Sequence, residues 1–291
     1  MKKIILILIS ILVAIFVILS VFGMGGEYEA EKLFYRAMKV NSKITINPDV
    51  APPALLLVVE NNLNKLITKY PKANITKTAN IALLEFYIAH KNYNKGMSLA
   101  GSMIQTYKED LFILSVAQFL KGVIYEKQND WSRALTEFIT LRDKYPNTQL
   151  GVQIPLYIAK YYDTKGEDSK AMEAYGQAQS FYENMEKEYE GKNMGYIASA
   201  MLIQTFVSSR NYEKAGASIE YAIDKYYSQM ALVQLLPLVE NIIVTKLKNS
   251  EKAVDIYNNI LAKSKDEKLK KVLQKRIDEL TGKGPVSVSK S

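Results

Sequence analysis

This chain offers few residues that could do chemistry. It has one histidine, His90, and no cysteine among 291 residues. Two-histidine metal sites, Cys/His zinc sites and thiol nucleophiles are therefore excluded. His90 lies in Ala89-His90-Lys91-Asn92-Tyr93, where it reads as the last residue of a helix rather than a base or ligand. Carboxylates crowd Glu183-Asn184-Met185-Glu186-Lys187-Glu188-Tyr189-Glu190. Paired carboxylates are the machinery of glycoside hydrolysis, but charges of both signs on one stretch read better as a solvated helix tail. No phosphate-binding glycine loop is present, and the glycines between Gly23 and Gly26 follow no strand. The expectation is a protein that is not an enzyme and holds no cofactor or metal.

The elements that position whatever the chain does begin with its first 26 residues. Lys2 and Lys3 precede Ile4 to Phe22, an apolar run of 19 residues whose polar side chains are Ser10 and Ser20. A helix of about 20 residues crosses the hydrocarbon core of a bilayer. The run is longer than the apolar stretch of a cleaved signal peptide, although Gly23-Met24-Gly25 could serve as a small-x-small cleavage site. An uncleaved anchor is the first reading and a cleaved signal the second. The lysines beside the run keep the N-terminus cytoplasmic and put the bulk of the chain outside, which in a bacterium is the periplasm. Without cysteine, acylation at an N-terminal cysteine is excluded.

About 265 residues remain after that segment, enough for a substantial core. Charged residues make up 23% of the chain, as in ordinary globular proteins. Strand-like alternation is scarce, and runs of Ala, Leu, Lys, Glu and Tyr point to an all-α protein. The net charge of +8 is concentrated late, with nine Lys/Arg against four Asp/Glu from Lys263 to Ser291. The helix near Asp266 to Leu280 could meet an anionic partner, or simply cap the fold as a solvated helix. Nucleic acid is disfavoured, since no binding motif accompanies the charge.

A short pattern recurs. Asn92-Tyr93-Asn94-Lys95-Gly96, Asp130-Trp131-Ser132-Arg133-Ala134, Glu167-Asp168-Ser169-Lys170-Ala171 and Asn211-Tyr212-Glu213-Lys214-Ala215 each run from a polar residue through a basic one to a small one. Asn249-Ser250-Glu251-Lys252-Ala253 fits more loosely. The polar residue can cap a helix, and the small one lets that helix sit close to its predecessor. Phe138, Tyr175, Ile219 and Tyr257 follow one turn later on the same face. Lys69-Tyr70-Pro71 and Lys144-Tyr145-Pro146 mark helix stops. Pro48, Pro52 and Pro53 suggest a loop over residues 42–53. Pro237, within the apolar run from Met230 to Leu247, should kink or divide a helix.

Gly122, Tyr125, Ala134, Phe138 and Pro146 reproduce the G-x2-Y, A-x3-F, P spacing of tetratricopeptide repeats. Ala159, Tyr162, Ala171, Tyr175 and Ala178 give the next repeat, and Ile203, Phe206, Ala215, Ile219 and Ala222 a weaker one. Leu84, Tyr87, Gly96 and Ala100 precede them, and Ala30, Phe34 and Ala37 could be the remnant of another. The chain resembles a tetratricopeptide repeat protein over roughly residues 54–262, although Gln118 and Lys121 stand at the family's Trp and Leu positions.

The expected fold is all-α: the apolar run gives an N-terminal transmembrane helix, and the resemblance implies that an α-solenoid of helical hairpins with a concave groove follows it. Its segments are an anchor over 1–26, a membrane-proximal helix and loop over 27–53, the array over 54–262, and a basic capping helix with a disordered tail over 263–291. Groove-facing positions carried over from the family are Glu85, Phe119, Val123, Lys127, Lys160, Asp163 and Gln204, and they imply a protein or peptide partner. The tyrosines 157, 161, 162, 175 and 182 read as hairpin core more than as an interface. In layout the chain is similar to single-span inner-membrane repeat proteins that associate with the secretion translocon. The expected role is a scaffold or chaperone-like adapter in envelope assembly or protein export, with a soluble periplasmic protein of outer-membrane or cell-wall assembly as the alternative.

Overall fold

The computed structural model describes residues 24–44, 51–228 and 232–283. The expected membrane segment, residues 4–22, and the tail from residue 284 lie outside them. Among the described residues, no helix is long and apolar enough to cross a membrane. They form thirteen α-helices: α1 (Met24–Ile44), α2 (Pro53–Lys69), α3 (Thr76–Ala89), α4 (Tyr93–Thr106), α5 (Leu111–Lys127), α6 (Trp131–Lys144), α7 (Gln149–Thr164), α8 (Asp168–Glu188), α9 (Asn193–Ser208), α10 (Tyr212–Tyr226), α11 (Leu232–Val239), α12 (Ser250–Lys263) and α13 (Glu267–Leu280). A π-helix, Glu240–Lys246, continues α11. The chain divides into two compact units between Gly151 and Val152. In the first, α1 to α6 pack in chain order and α3 also meets α5; in the second, α8 to α10, the π-helix, α12 and α13 do the same.

Five helix pairs among the described residues turn through a left-handed residue, and four of them close in the same way. Lys91, Asn129, Gly166, Arg210 and Lys248 all have left-handed backbones, with φ between 52° and 70°. The next residue's N–H then reaches back to a carbonyl five residues earlier: Asn92 to Tyr87 (2.8 Å), Asp130 to Tyr125 (2.9 Å), Glu167 to Tyr162 (3.0 Å) and Asn211 to Phe206 (2.8 Å). This is the Schellman closure of a helix end, and the same residue also precedes the next helix. Asp130, Asn211 and Asn249 cap that helix by accepting from the N–H three residues on. Asn92 and Glu167 make no such side-chain bond.

The basic residue of the recurring pattern has a partner that periodicity alone did not reveal. It lies over the aromatic ring that ends the previous helix. Lys95 sits 5.6 Å from the Tyr87 centroid, Arg133 4.5 Å from Tyr125, Lys170 5.6 Å from Tyr162 and Lys214 5.6 Å from Phe206. Such cation–π contacts contribute about 0.5–1 kcal/mol each at exposed sites. The small residue follows at the fourth position of its helix, and Gly96, Ala134, Ala171, Ala215 and Ala253 are all buried. The interval between them stretches after Ala171 because α8 has 21 residues where α6 has 14.

Helices end at Lys69 and Lys144, as the two Tyr-Pro pairs require. Of the loop expected over 42–53, residues 42–44 belong to α1 and Pro53 opens α2, while 45–50 lie outside the described residues. Proline at a first helical position gives up only an N–H that has no intrahelical partner. At Pro237 the helix is not interrupted. It passes from α to π geometry three residues later, and Leu247 N–H bonds to the Ile242 carbonyl at 2.9 Å.

Pro155 lies inside α7. One turn around it is held from outside: the Tyr182 hydroxyl of α8 donates to the Val152 carbonyl (2.8 Å) and accepts from Leu156 N–H (3.3 Å). A side chain inserted into the helical ladder satisfies backbone groups that the proline ring displaces. Tyr182 is fully buried, and burial pushes its phenol well above the usual range. At the positions where the family has Trp and Leu, buried Gln118 and Lys121 both bond Glu137 of α6; Lys121 does so at 2.9 Å.

Two glycines in the first unit make a matched test. A Cβ on Gly122 would lie 2.4 Å from the Phe138 ring, whereas one on Gly101 meets nothing within 4 Å. Gly122→Ala should destabilise by about 1–3 kcal/mol through overpacking, and Gly101→Ala should stabilise by up to about 1 kcal/mol through helix propensity. Urea unfolding followed by circular dichroism reads both signs. Tyr182→Phe, which strands Val152 O and Leu156 N–H, should cost about 1–3 kcal/mol in the same assay.

Candidate functional site

In the first unit, the positions expected to face a groove come from α3 and α5, which pack together. Glu85 of α3 is exposed, yet the surrounding protein desolvates its carboxylate and raises its pKa. On α5, Phe119, Val123 and Lys127 recur every four residues and so share a face. Only Lys127 is fully exposed. Val123 and Phe119 sink halfway into the cluster built around Leu84, Ile113, Ala117 and Ile124, and the Phe119 ring lies 5.8 Å from Phe138. This face therefore presents a carboxylate and an ammonium over a partly apolar floor.

In the second unit, Lys160 and Asp163 of α7 and Gln204 of α9 are all exposed. Asp163 alone of the three lines a pocket of about 450 Å³, with Asp168, Met172 and Tyr175 of α8 and Ser208 and Arg210 at the end of α9. The Tyr175 hydroxyl donates to Asp163 at 3.3 Å. Burial, reinforced by that carboxylate, pushes Tyr175 up to about 12. Met172 is 75% exposed at the rim, a flexible side chain suited to an apolar partner.

A second pocket, of about 430 Å³, was not anticipated from sequence. Leu236 and Pro237 of α11, Glu240 of the π-helix, Tyr257 of α12, and Val272, Leu273, Arg276 and Glu279 of α13 line it. Its wall is a charged network. Arg276 Nε donates to Glu240 Oε1 at 2.6 Å and its Nη1 to Glu279 at 2.7 Å, and the Tyr257 hydroxyl also bonds Glu240. The hydrogen bonds from Arg276 hold the Glu240 carboxyl below the ordinary carboxylate range despite opposing burial. Burial first, and Glu240 second, raise the Tyr257 phenol. Paired charges border Val272, which is 55% exposed, over an apolar floor. Pro237 within its apolar run was the sequence signal for this place; the partners of Arg276 had none.

The remaining candidates are structural in placement. His90 caps the end of α3 with its ring 4.6 Å from Phe86, and burial lowers its pKa. The carboxylates from Glu183 to Glu188 end α8, and desolvation raises Glu186. In α13, Leu269, Leu273 and Ile277 are buried one turn apart, so the basic helix packs as a cap with its lysines outward. Tyr175 and Tyr182 are core and Tyr157, Tyr161 and Tyr162 half-buried. Among the described residues, no group of three or more His, Cys, Asp or Glu could hold a metal ion.

Comparison with known proteins bears on the α5–α6 hairpin directly. Residues 116–148 match the sequence model of the tetratricopeptide repeat family. The α5–α6 hairpin is thus similar to a tetratricopeptide repeat. Within it Phe138 packs on Gly122, Arg133 covers Tyr125, and Ala134 is buried. Among solved structures, a tetratricopeptide repeat protein from Parabacteroides merdae is similar at 13% identity over 88% of each chain, with a TM-score of 0.40. BtubC from P. vanneervenii is similar at 11% identity over 89% of this chain and 92% of that one, with a TM-score of 0.35. No curated protein matches the sequence.

The Glu240–Arg276 pair gives a pH signature. Because the folded pKa of Glu240 is lowered, its contribution is fully present above the unfolded value of 4.5 and is lost as pH falls through the folded value. Arg276→Met removes the partner. The variant should melt lower than the parent near neutral pH, and the gap should narrow as the pH falls below 4.5 because the acid-side loss carried by Glu240 is gone; thermal melts across the acidic range read it.

Proposed function

We propose that this chain is a membrane-anchored scaffold or chaperone-like adapter that binds protein segments on its repeat array. The observation that carries the reading is the recurrence of one hairpin turn four times, around a central hairpin that matches the tetratricopeptide repeat model. Such repeats are protein-binding modules, because stacked hairpins leave the first helix of each pair with a solvent-facing side. The lone histidine and the lack of cysteine agree with a role in binding rather than catalysis.

Residues 4–22 would span the bilayer with Lys2 and Lys3 in the cytoplasm and the array in the periplasm. Anchoring confines the array to a thin layer beside the membrane and raises its effective concentration toward partners there. Envelope assembly and protein export are the processes that such a location serves. The partner would be an extended or helical peptide segment with mixed polar and apolar side chains, matching Glu85 and Lys127 on one unit and the Asp163 pocket on the other.

Site-specific photo-crosslinking in cells tests the scaffold reading. A photoreactive residue at Lys127 or Asp163 should capture the same discrete proteins, and one at Thr136, exposed on α6, should not. Equal capture from all three positions would overturn it. Alkaline extraction of membranes tests the anchor: the chain should stay with the lipid. A mature N-terminus near Gly26 would mean a cleaved, soluble periplasmic protein instead.

A further inference from the structure

The outward face of α1 has a composition that the repeat does not require. Tyr28 and Tyr35 are each 64% exposed, although large aromatic rings are ordinarily half or more buried. They lie seven residues apart, with Lys32 and Lys39 between and beyond them, so all four fall on one stripe of the helix. Arg36 and Lys43 flank the stripe and are exposed as well. The ammonium of Lys32 sits 5.7 Å from the Tyr28 centroid and that of Lys39 5.9 Å from Tyr35. The opposite face is Ala30, Leu33, Ala37 and Ile44, all buried in the first unit's core. Packing against α2 therefore fixes which way the tyrosines point.

The position of this stripe in the chain says what could cover it. Helix α1 begins at Met24, directly after the apolar run that ends at Phe22. Tyr28 is six residues from Phe22, so even a fully extended connection holds it within about 20 Å of the end of that run. Tyrosine is the side chain favoured at a membrane–water interface, with its ring among the headgroups and its hydroxyl wet. Basic residues beside it suit an anionic leaflet. Acidic groups near the stripe are few: Glu31 at its edge, and Glu29, which pairs with Lys32 at 3.2 Å. Glu27 is turned to the Asn74 N–H at 3.1 Å.

We infer that the Tyr28–Lys32–Tyr35–Lys39 stripe of α1 rests on the lipid headgroups beside the anchor. This rests on the anchored reading and adds to it an orientation. The first unit would be held by two contacts, the span and the stripe, rather than swinging on a tether.

The test uses the full chain reconstituted in vesicles of phosphatidylcholine and phosphatidylglycerol, part of the lipid carrying bromine near the headgroup. The native protein has a single tryptophan, which sets the baseline. Tyr28→Trp and Tyr35→Trp each add an interfacial reporter that conserves the aromatic ring. Tyr221→Trp adds one at an exposed tyrosine of the second unit. The expected result is a blue shift and bromine quenching of the added emission at 28 and 35, without either at 221. Unquenched emission at 28 and 35 in protein that floats with the vesicles would overturn the inference and leave the anchor standing; water or a protein would then face the stripe. Equal quenching at 221 would overturn it too. Failure of the chain to float would remove the anchor and the inference together.

Discussion

The left-handed residue between paired helices is the constraint on which the rest depends. By turning the chain at Lys91, Asn129, Gly166, Arg210 and Lys248, it lets one N–H close the outgoing helix while its own residue stands at the head of the next. A left-handed conformation costs roughly 1–2 kcal/mol per non-glycine residue, and four of these five positions carry a side chain beyond Cα. The cost is offset by what the turn brings together: a satisfied carbonyl, a small residue under the crossing of the two helices and, at the first four turns, a cation on the preceding aromatic ring. Each of these needs the others. Without the turn the cation points into solvent; without the small residue the helices cannot approach.

Between hairpins a second device operates. Tyr70, Tyr107, Tyr145 and Tyr189 are the residues after α2, α4, α6 and α8, and each N–H bonds to the carbonyl four residues back. The next helix then starts hard against that tyrosine's carbonyl. The Thr76 hydroxyl bonds to Tyr70 O at 2.6 Å, and a Cβ on Gly151 or Gly195 would strike Tyr145 O or Tyr189 O. Much of the chain's tyrosine is therefore spent as punctuation and not as an exposed interface. That sharpens the contrast with Tyr28 and Tyr35, which serve neither turn.

Function on such a scaffold is a matter of what the outward faces carry, because the inward ones are committed to packing. Phe119 and Val123 illustrate this: family position assigns them to a binding face, yet their side chains are half taken up by the core beneath. One pocket lies beside the regular left-handed turn at Arg210. The other lies where Pro237 and the π-helix widen the ladder, so that Glu240 can reach Arg276 and Tyr257.

The sequence by itself determined the helical class, the period, the small residues and the caps at Asp130, Asn211 and Asn249, because these are local: a capping side chain, a basic residue and an alanine act within one turn of where they stand. It also placed the helix ends at Lys69 and Lys144. The tertiary structure decided the rest. The tyrosine row at 70, 107, 145 and 189 was present in the sequence at intervals parallel to the small residues, but only the carbonyl contacts gave it meaning. The extra turns of α8, the hydroxyl of Tyr182 inside α7 and the Gln118–Lys121–Glu137 cluster were not readable from pattern. Nor was the pairing of Glu240 with Arg276, since it joins residues 36 apart in the chain. A pattern of residue types specifies the local conformation; which distant side chains share a pocket follows only once the helices have packed.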